Sequence, residues 1–367
     1  QGRPEELVSN IDMFAVIRKQ DVLLHHPYQS FSPVVDLLKQ ASSDTSVLAI
    51  KQTLYRTGTK SPIVDALIAA ARAGKEVTVV IELRARFDEE ANVALAAKLQ
   101  QAAVHVVYGV VGYKTHAKML LILRREKNKL RHYVHLGTGN YHPSTSRLYT
   151  DYGLMSNDKQ LGEDVSNLFV QLTSVGKIPK MHKLLHSPFT LHDGLLTRID
   201  REITHAQAGH QAHIIIKVNA IVEPEIIQAF YRASMAGVKV DLIVRGICSL
   251  KPGIAGISEN IQVRSIIGRF LEHTRVFYFA NNDSVEVWAA SADLMKRNLL
   301  RRVETAFPIE QKKLKNTLIE DLNTYLTDNN QAWILSANGR YHRIEKPEQS
   351  DLISAQTFLL SKLAKKF

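Results

Sequence analysis

Cysteine is almost missing from this chain: one residue in 367, Cys248. A single thiol excludes an intrachain disulfide framework and any cysteine-rich zinc site. No run of about 18 apolar residues occurs, so no spanning helix is expected. The opening QGRPEELVSN lacks both an apolar core and an initiating Met, so no signal peptide is expected there and a piece of something longer is. Acidic residues are outnumbered, with 36 Asp+Glu against 47 Lys+Arg, a formal charge of +11. The excess suits a polyanionic partner, such as nucleic acid, an anionic lipid face, a nucleotide or another phosphate polymer. On charge alone, a basic surface without a partner fits as well. What remains is ordinarily globular: 45% hydrophobic and 23% charged residues argue against long disorder. The length suits two domains, each with a core of its own.

The two halves repeat each other. Near residue 50 the chain reads VLAIKQTLYR, then a helical stretch ending ALIAAARAGKEVTVVIEL; near residue 216 it reads HIIIKVNAIV, then AFYRASMAGVKVDLIVRG. Both are strand, helix, Gly turn, strand, and Gly74 and Gly237 are expected to be left-handed helix caps. Further β-runs follow in each half: VHVVYG, THAKMLLIL and RHYVHLGTGN, then IQVRSI, HTRVFYFA and SVEVWAASAD. Each half closes with a strand and a helix, TDYGLM with 158–173 and RRVETAFPI with 310–326. A period of about 160 residues is too long for a solenoid and reads as duplicated domains. The break is expected in residues 175–194, giving domains 1–185 and 186–367. Alternating elements predict an α/β fold with a largely buried sheet, and Pro308 is tolerable only at a strand end. The terminal segment DLISAQTFLLSKLAKKF is expected to be a helix packed on a domain.

The chemistry is concentrated in YKTHAKMLLIL. On a continuous strand Lys114, His116 and Lys118 share one face, while Met119 and Leu121 point into a core. Neighbouring cations would hold the imidazole neutral, and the neutral ring is the nucleophile. The second half repeats the unit with His273 and Arg275. LGTGNYH and SADLMKRN occupy equivalent places; the small residues Gly137, Thr138 and Gly139, with Asn140, would let a phosphate approach backbone N–H groups. Asp151 and Glu304 fall in equivalent closing strands, where an acid can orient an imidazole, and Arg302 shares the face of Glu304. Asp88, Glu89 and Glu90 are expected to open a helix, Cys248 to be a buried small residue, and 124–131 to be a solvated hairpin turn.

This arrangement resembles the phospholipase D superfamily, whose halves each bring His-x-Lys, x4, Asp to a shared site. Here Leu123 stands at the Asp position and Arg275 replaces the second Lys. The chain is more similar to the histidine-phosphorylating polyphosphate kinase family, specifically its two C-terminal domains. DVLLHHPYQSF, IKQTLYRTG, ELRARFDEEAN, KTHAKM, HLGTGNYHPSTSRLYTDY, LIVRGICSL, EHTRVF and SADLMKRN carry that resemblance. It implies two phospholipase D-like α/β domains related by duplication, with the active site at their interface. It implies that His116 is the phosphorylated nucleophile and His273 a second active-site histidine near the nucleotide. Lys118 and Arg275 would accompany them, with Asp151 and Glu304 as partners of the two histidines. Tyr149, Arg245 and Arg302 would meet the nucleotide. Arg56 and Arg86 would act on Mg²⁺ indirectly, by clamping the phosphates that carry it, because arginine has no lone pair for a metal. The implied partners are ATP or ADP and inorganic polyphosphate, with a cytoplasmic homo-oligomer for the full-length enzyme, no nucleic acid, and peripheral membrane association left open. The family's N-terminal and head domains, one of which contacts the nucleobase, have no counterpart in this sequence, so little turnover is expected of the segment alone. The alternatives are a phospholipase D-like phosphodiesterase or nuclease and a non-catalytic polyanion-binding module.

Overall fold

Runs of β-branched residues alternating with amphipathic helices build a mixed sheet in each half of the chain. The computed structural model describes residues 1–7, 11–55, 57, 60–82, 89–109, 112–174, 180–344 and 351–364. The chain forms two compact units: 1–184 with Arg302–Glu304, and Leu185–Arg301 with Thr305–Lys362.

In the first unit the order is α1 (Met13–Lys19), β1 (Val22–His26), α2 (Ser32–Ser43), β2 (Val47–Leu54), α3 (Pro62–Arg72) and β3 (Glu76–Ile81). There follow α4 (Glu89–Gln101), β4 (His105–Val107), β5 (Lys114–Thr115), β6 (Lys118–Glu126), β7 (Lys129–Gly137), β8 (Asp151–Ser156) and α5 (Lys159–Thr173). Seven strands join in the order β1-β8-β7-β6-β2-β3-β4. Leu120 and Ile122 of β6 enter a core with Leu37, Leu38, Ile63 and Leu67 of α2 and α3. Met119 and Leu121, on the opposite face, are buried too, so both sides of this sheet are covered.

The second unit runs β9 (Leu185–Ser187), α6 (Leu191–Gln207), β10 (His213–Val218), α7 (Pro224–Met235), β11 (Lys239–Val244), β12 (Ile261–Ile266) and β13 (Arg275–Phe279). It continues with β14 (Glu286–Ala290), α8 (Lys296–Leu300), β15 (Arg302–Pro308, whose first three residues belong to the first unit), α9 (Lys312–Thr327), β16 (Ala332–Leu335), β17 (Tyr341–Arg343) and α10 (Ala355–Leu363). The strand order β12-β11-β10-β13-β14-β15 matches β4-β3-β2-β6-β7-β8 in the first unit, parallel and antiparallel pairs included.

Local signals explain the match. Ser61 and Glu223 each cap the helix that follows, α3 and α7, and a proline stands at the first helical position of both. Gly74 and Gly237 end those helices at φ +85° and +91°, the left-handed caps expected. Pro308 is the last residue of β15.

Three expectations change. The strand through Lys114–Lys118 is interrupted: β5 ends at Thr115 and β6 starts at Lys118, because the His116 and Ala117 N–H groups both bond to the Val303 carbonyl (2.9 and 2.8 Å). The repeat also begins earlier than the β2 and β10 runs. LLHHPY at 23–28 and LLHSPF at 184–189 are counterparts, and each leads into a helix, α2 or α6, that packs on the next one. Finally, α10 starts only at Ala355. Glu89 and Glu90 open α4 as expected, while Asp88 lies outside the described residues.

Candidate active site

In the first unit, His116 occupies the break between β5 and β6. Its backbone is pinned to Val303, in the segment of β15 that pairs Arg302 with Lys114 and Val303 with Thr115. That pairing delivers Glu304, which is fully buried, to the ring: Nδ1 lies 2.8 and 2.9 Å from the two carboxylate oxygens. Donation of Nδ1–H to the carboxylate leaves the lone pair on Nε2. Lys118 is buried below and donates from Nζ to the His116 carbonyl. The Tyr55 ring meets the imidazole edge-on at 5.3 Å and lies 5.8 Å from the lysine ammonium.

The imidazole pKa is lowered from 6.5 to about 4. Burial is the largest cause; the Lys118 and Arg302 charges act in the same direction, and Glu304 opposes them. Desolvation thus favours the neutral ring more than the neighbouring cations do.

Asp151 opens β8 in this unit, and its Oδ1 accepts from Thr138 Oγ1 at 2.7 Å. A Cβ on Gly139 would lie 2.0 Å from Asp151 Oδ2. The glycine in GTGN thus makes room for a carboxylate of the same unit. Tyr149 is half-buried, with its N–H on the Thr145 carbonyl (3.0 Å).

The second unit presents a parallel set. Arg275 starts β13 and donates to the His273 carbonyl at 3.0 Å, as Lys118 does to that of His116. Its Nη1 also stands 3.0 Å from the His273 ring. Asp293 grips the guanidinium, with Oδ2 at 2.9 Å from Nη2, and is held well below the usual carboxylate range by the Arg275 charge against the opposing effect of burial. The Asn219 N–H donates to Asp293 (2.7 Å), and Arg245 Nε donates to the Asn219 side chain (3.2 Å). A continuous chain therefore links Arg245 to His273. Asn219 and Asp293 were not singled out from sequence; the available signal was that Asp293 sits in SADLMKRN, the counterpart of LGTGNYH.

The two acids are true equivalents. Thr138 N–H donates to Tyr152 O and Tyr152 N–H to Thr138 Oγ1, both at 3.0 Å. Ser291 and Thr305 make the same two bonds at 3.0 and 3.1 Å, which aligns Asp151 with Glu304 one residue earlier. Cys248 is half-buried, its thiol pKa pushed up by burial. Arg56 and Arg86 lie outside the described residues. Among the described residues, no group of three or more His, Cys, Asp or Glu could hold a metal ion, and no helix is long and apolar enough to cross a membrane.

A twice-used α/β unit, each copy carrying a His-x-basic pair at the start of a central strand, defines a duplicated two-unit α/β protein. Phosphatidylserine synthase from Haemophilus influenzae shares the fold, with TM-score 0.59 over 94% of this chain and 93% of its own at 12% identity. Family models for polyphosphate kinase C-terminal domain 1 and domain 2 match residues 12–178 and 184–356. Polyphosphate kinases of Pseudomonas aeruginosa and Xylella fastidiosa are each 58% identical over 361 residues, 98% of this chain and 52% of theirs. The crystal structure of polyphosphate kinase from Porphyromonas gingivalis matches with TM-score 0.91 at 34% identity, over 99% of this chain and 56% of that one. The chain belongs to the polyphosphate kinase family. It spans about half the length of the curated relatives it matches.

Proposed function

We propose that this chain carries the phosphoryl-transfer centre of an ATP:polyphosphate phosphotransferase, with His116 as the covalent intermediate. The observation that carries the reading is the His116 ring held through Nδ1 by the buried Glu304 carboxylate, with Lys118 beneath it. Nε2 attacks the γ-phosphorus of ATP in line; the N–P bond forms as the bond to the bridging oxygen breaks, and ADP leaves. Glu304 offsets the positive charge that the phosphorylated ring acquires, and Lys118, buried beneath the ring, and Arg302 add positive charge to the site. A terminal oxygen of polyphosphate then attacks the same phosphorus, and the N–P bond breaks to restore the neutral ring. His273, beside Arg275 and Asp293, serves as acid or base, while Tyr149 and Arg245 bind the nucleotide. Asp151 has the role for a histidine that its equivalence to Glu304 suggests. Magnesium enters as MgATP; arginines at 56 and 86 would grip its phosphates. Inorganic polyphosphate, a homo-oligomeric full-length form and a cytoplasmic location belong to the same reading. The phosphodiesterase alternative is not favoured, since Leu123 stands where its motif needs Asp.

The test is labelling with γ-phosphate-labelled MgATP, using this chain alone and grafted onto the N-terminal half of the Pseudomonas aeruginosa relative. We expect an acid-labile, alkali-stable phosphoryl group that disappears in His116→Ala. Undiminished labelling of His116→Ala would rule the reading out.

A further inference from the structure

Gln356 lies at the start of α10, far in sequence from every motif, yet it is almost fully buried. Its Nε2 donates to Glu272 Oε1 (2.7 Å) and to the Phe270 carbonyl (2.9 Å), and its Oε1 accepts from the Phe270 N–H (3.0 Å). Glu272 also pairs with Lys217 of β10 at 2.8 Å, both side chains being 3% exposed. The same ammonium donates to Thr274 Oγ1. One cation thus holds the residues on either side of His273, and α10 clasps the segment that leads into it.

The helix is itself tied down. Asp328 accepts from the Ala355 N–H at 2.7 Å and, through its other oxygen, from the N–H groups of Asn330, Gln331 and Ala332. A Cβ on Gly268 would lie 2.5 Å from both Gln331 Nε2 and Gln356 Oε1, so the clasp leaves no slack. At the equivalent place in the first unit a hydroxyl stands where β10 offers an ammonium. There Thr53 Oγ1 bonds to the Ala117 carbonyl (2.7 Å) and the Met119 N–H (3.0 Å). Burying an ion pair and an amide costs desolvation that apolar packing would avoid; what the polar set supplies is a single geometry.

We infer that Lys217, Glu272 and Gln356 are positioning residues for His273, with α10 as the latch. The functional consequence rests on the acid–base role proposed for His273; the positioning itself does not. Among the described residues, Arg275 stands against the His273 ring with Asp293 behind it, and Lys217 holds the residues flanking His273 in the chain, Glu272 and Thr274.

The test is NMR of this chain labelled with [13Cε1]histidine, the His273 signal being assigned by its loss in His273→Gln. Gln356→Leu and Lys217→Met are compared with Lys362→Ala, which removes an exposed pair between α10 and Glu320 without touching the clasp. We expect Gln356→Leu and Lys217→Met to move the His273 titration midpoint by at least about half a pH unit, or to split its signal. Lys362→Ala should superimpose on the parent. An unchanged His273 signal and midpoint in a cooperatively folded Gln356→Leu would overturn the inference, and that variant alone decides if Lys217→Met does not fold. Because this readout needs no phosphoryl transfer, failed labelling of His116 would sink the proposed function and leave the latch standing. Normal labelling with an unmoved His273 would do the reverse.

Discussion

In the proposed reaction His116 meets two opposing demands: it must be unprotonated to attack phosphorus, and the cation it then becomes must be stabilised. Burial and two cations satisfy the first, and Glu304 satisfies the second. Glu304→Gln keeps the shape and removes the charge, so labelling of His116 should slow on the order of 100-fold, measured as a single-turnover rate. The same ring makes stability depend on pH. Its folded pKa, about 4, lies below the unfolded value of 6.5, so between those values the unfolded chain binds a proton that the folded chain refuses. Stability is therefore full above about pH 6.5 and declines as pH falls towards 4. His135, lowered to about 3 chiefly by burial, adds to the same decline. Thermal unfolding from pH 7 to pH 4 should show a smaller loss in His116→Gln than in the parent; equal slopes would contradict this assignment.

Strands and turns bring these groups together by letting backbone and carboxylate approach closely. Gly139 faces Asp151 and Gly153 faces the His135 ring, where an added Cβ would sit 2.0 and 2.5 Å away. Gly139→Ala should cost about 1–3 kcal/mol by denaturant unfolding, since the carboxylate must be displaced from Thr138. In the second unit, Lys217→Met leaves Glu272 buried without its counter-charge, a change worth about 3–5 kcal/mol, and Lys217→Met with Glu272→Leu should recover part of it. The β5–β6 interruption could not be read from YKTHAKMLLIL, because alternation predicts one strand whatever its neighbours. The Val303 carbonyl, which captures two consecutive N–H groups, stops it. The β1/β9 repeat was legible in LLHHPY and LLHSPF but lay in segments that read as connections.

Across the whole chain, an excess of +11 should make polyphosphate binding strong at low salt and steeply weaker as salt rises. At a free concentration 100 times Kd, binding adds about 2.7 kcal/mol, visible as a raised unfolding temperature that salt then erodes. No rise at low salt would count against a polyanion partner.

The duplicated α/β fold, the helix caps at Gly74 and Gly237, the His-x-basic pairs and the equivalence of Asp151 with Glu304 were all determined by sequence, because each follows from periodicity, backbone freedom or local repetition. Which acid meets His116 was decided only by tertiary structure. Glu304 stands 188 residues further on and reaches the ring through two short strands pairing side by side. The clasp of Gln356 on the residues before His273 is of the same kind, for a buried polar side chain finds its partners in space, and no local pattern encodes them.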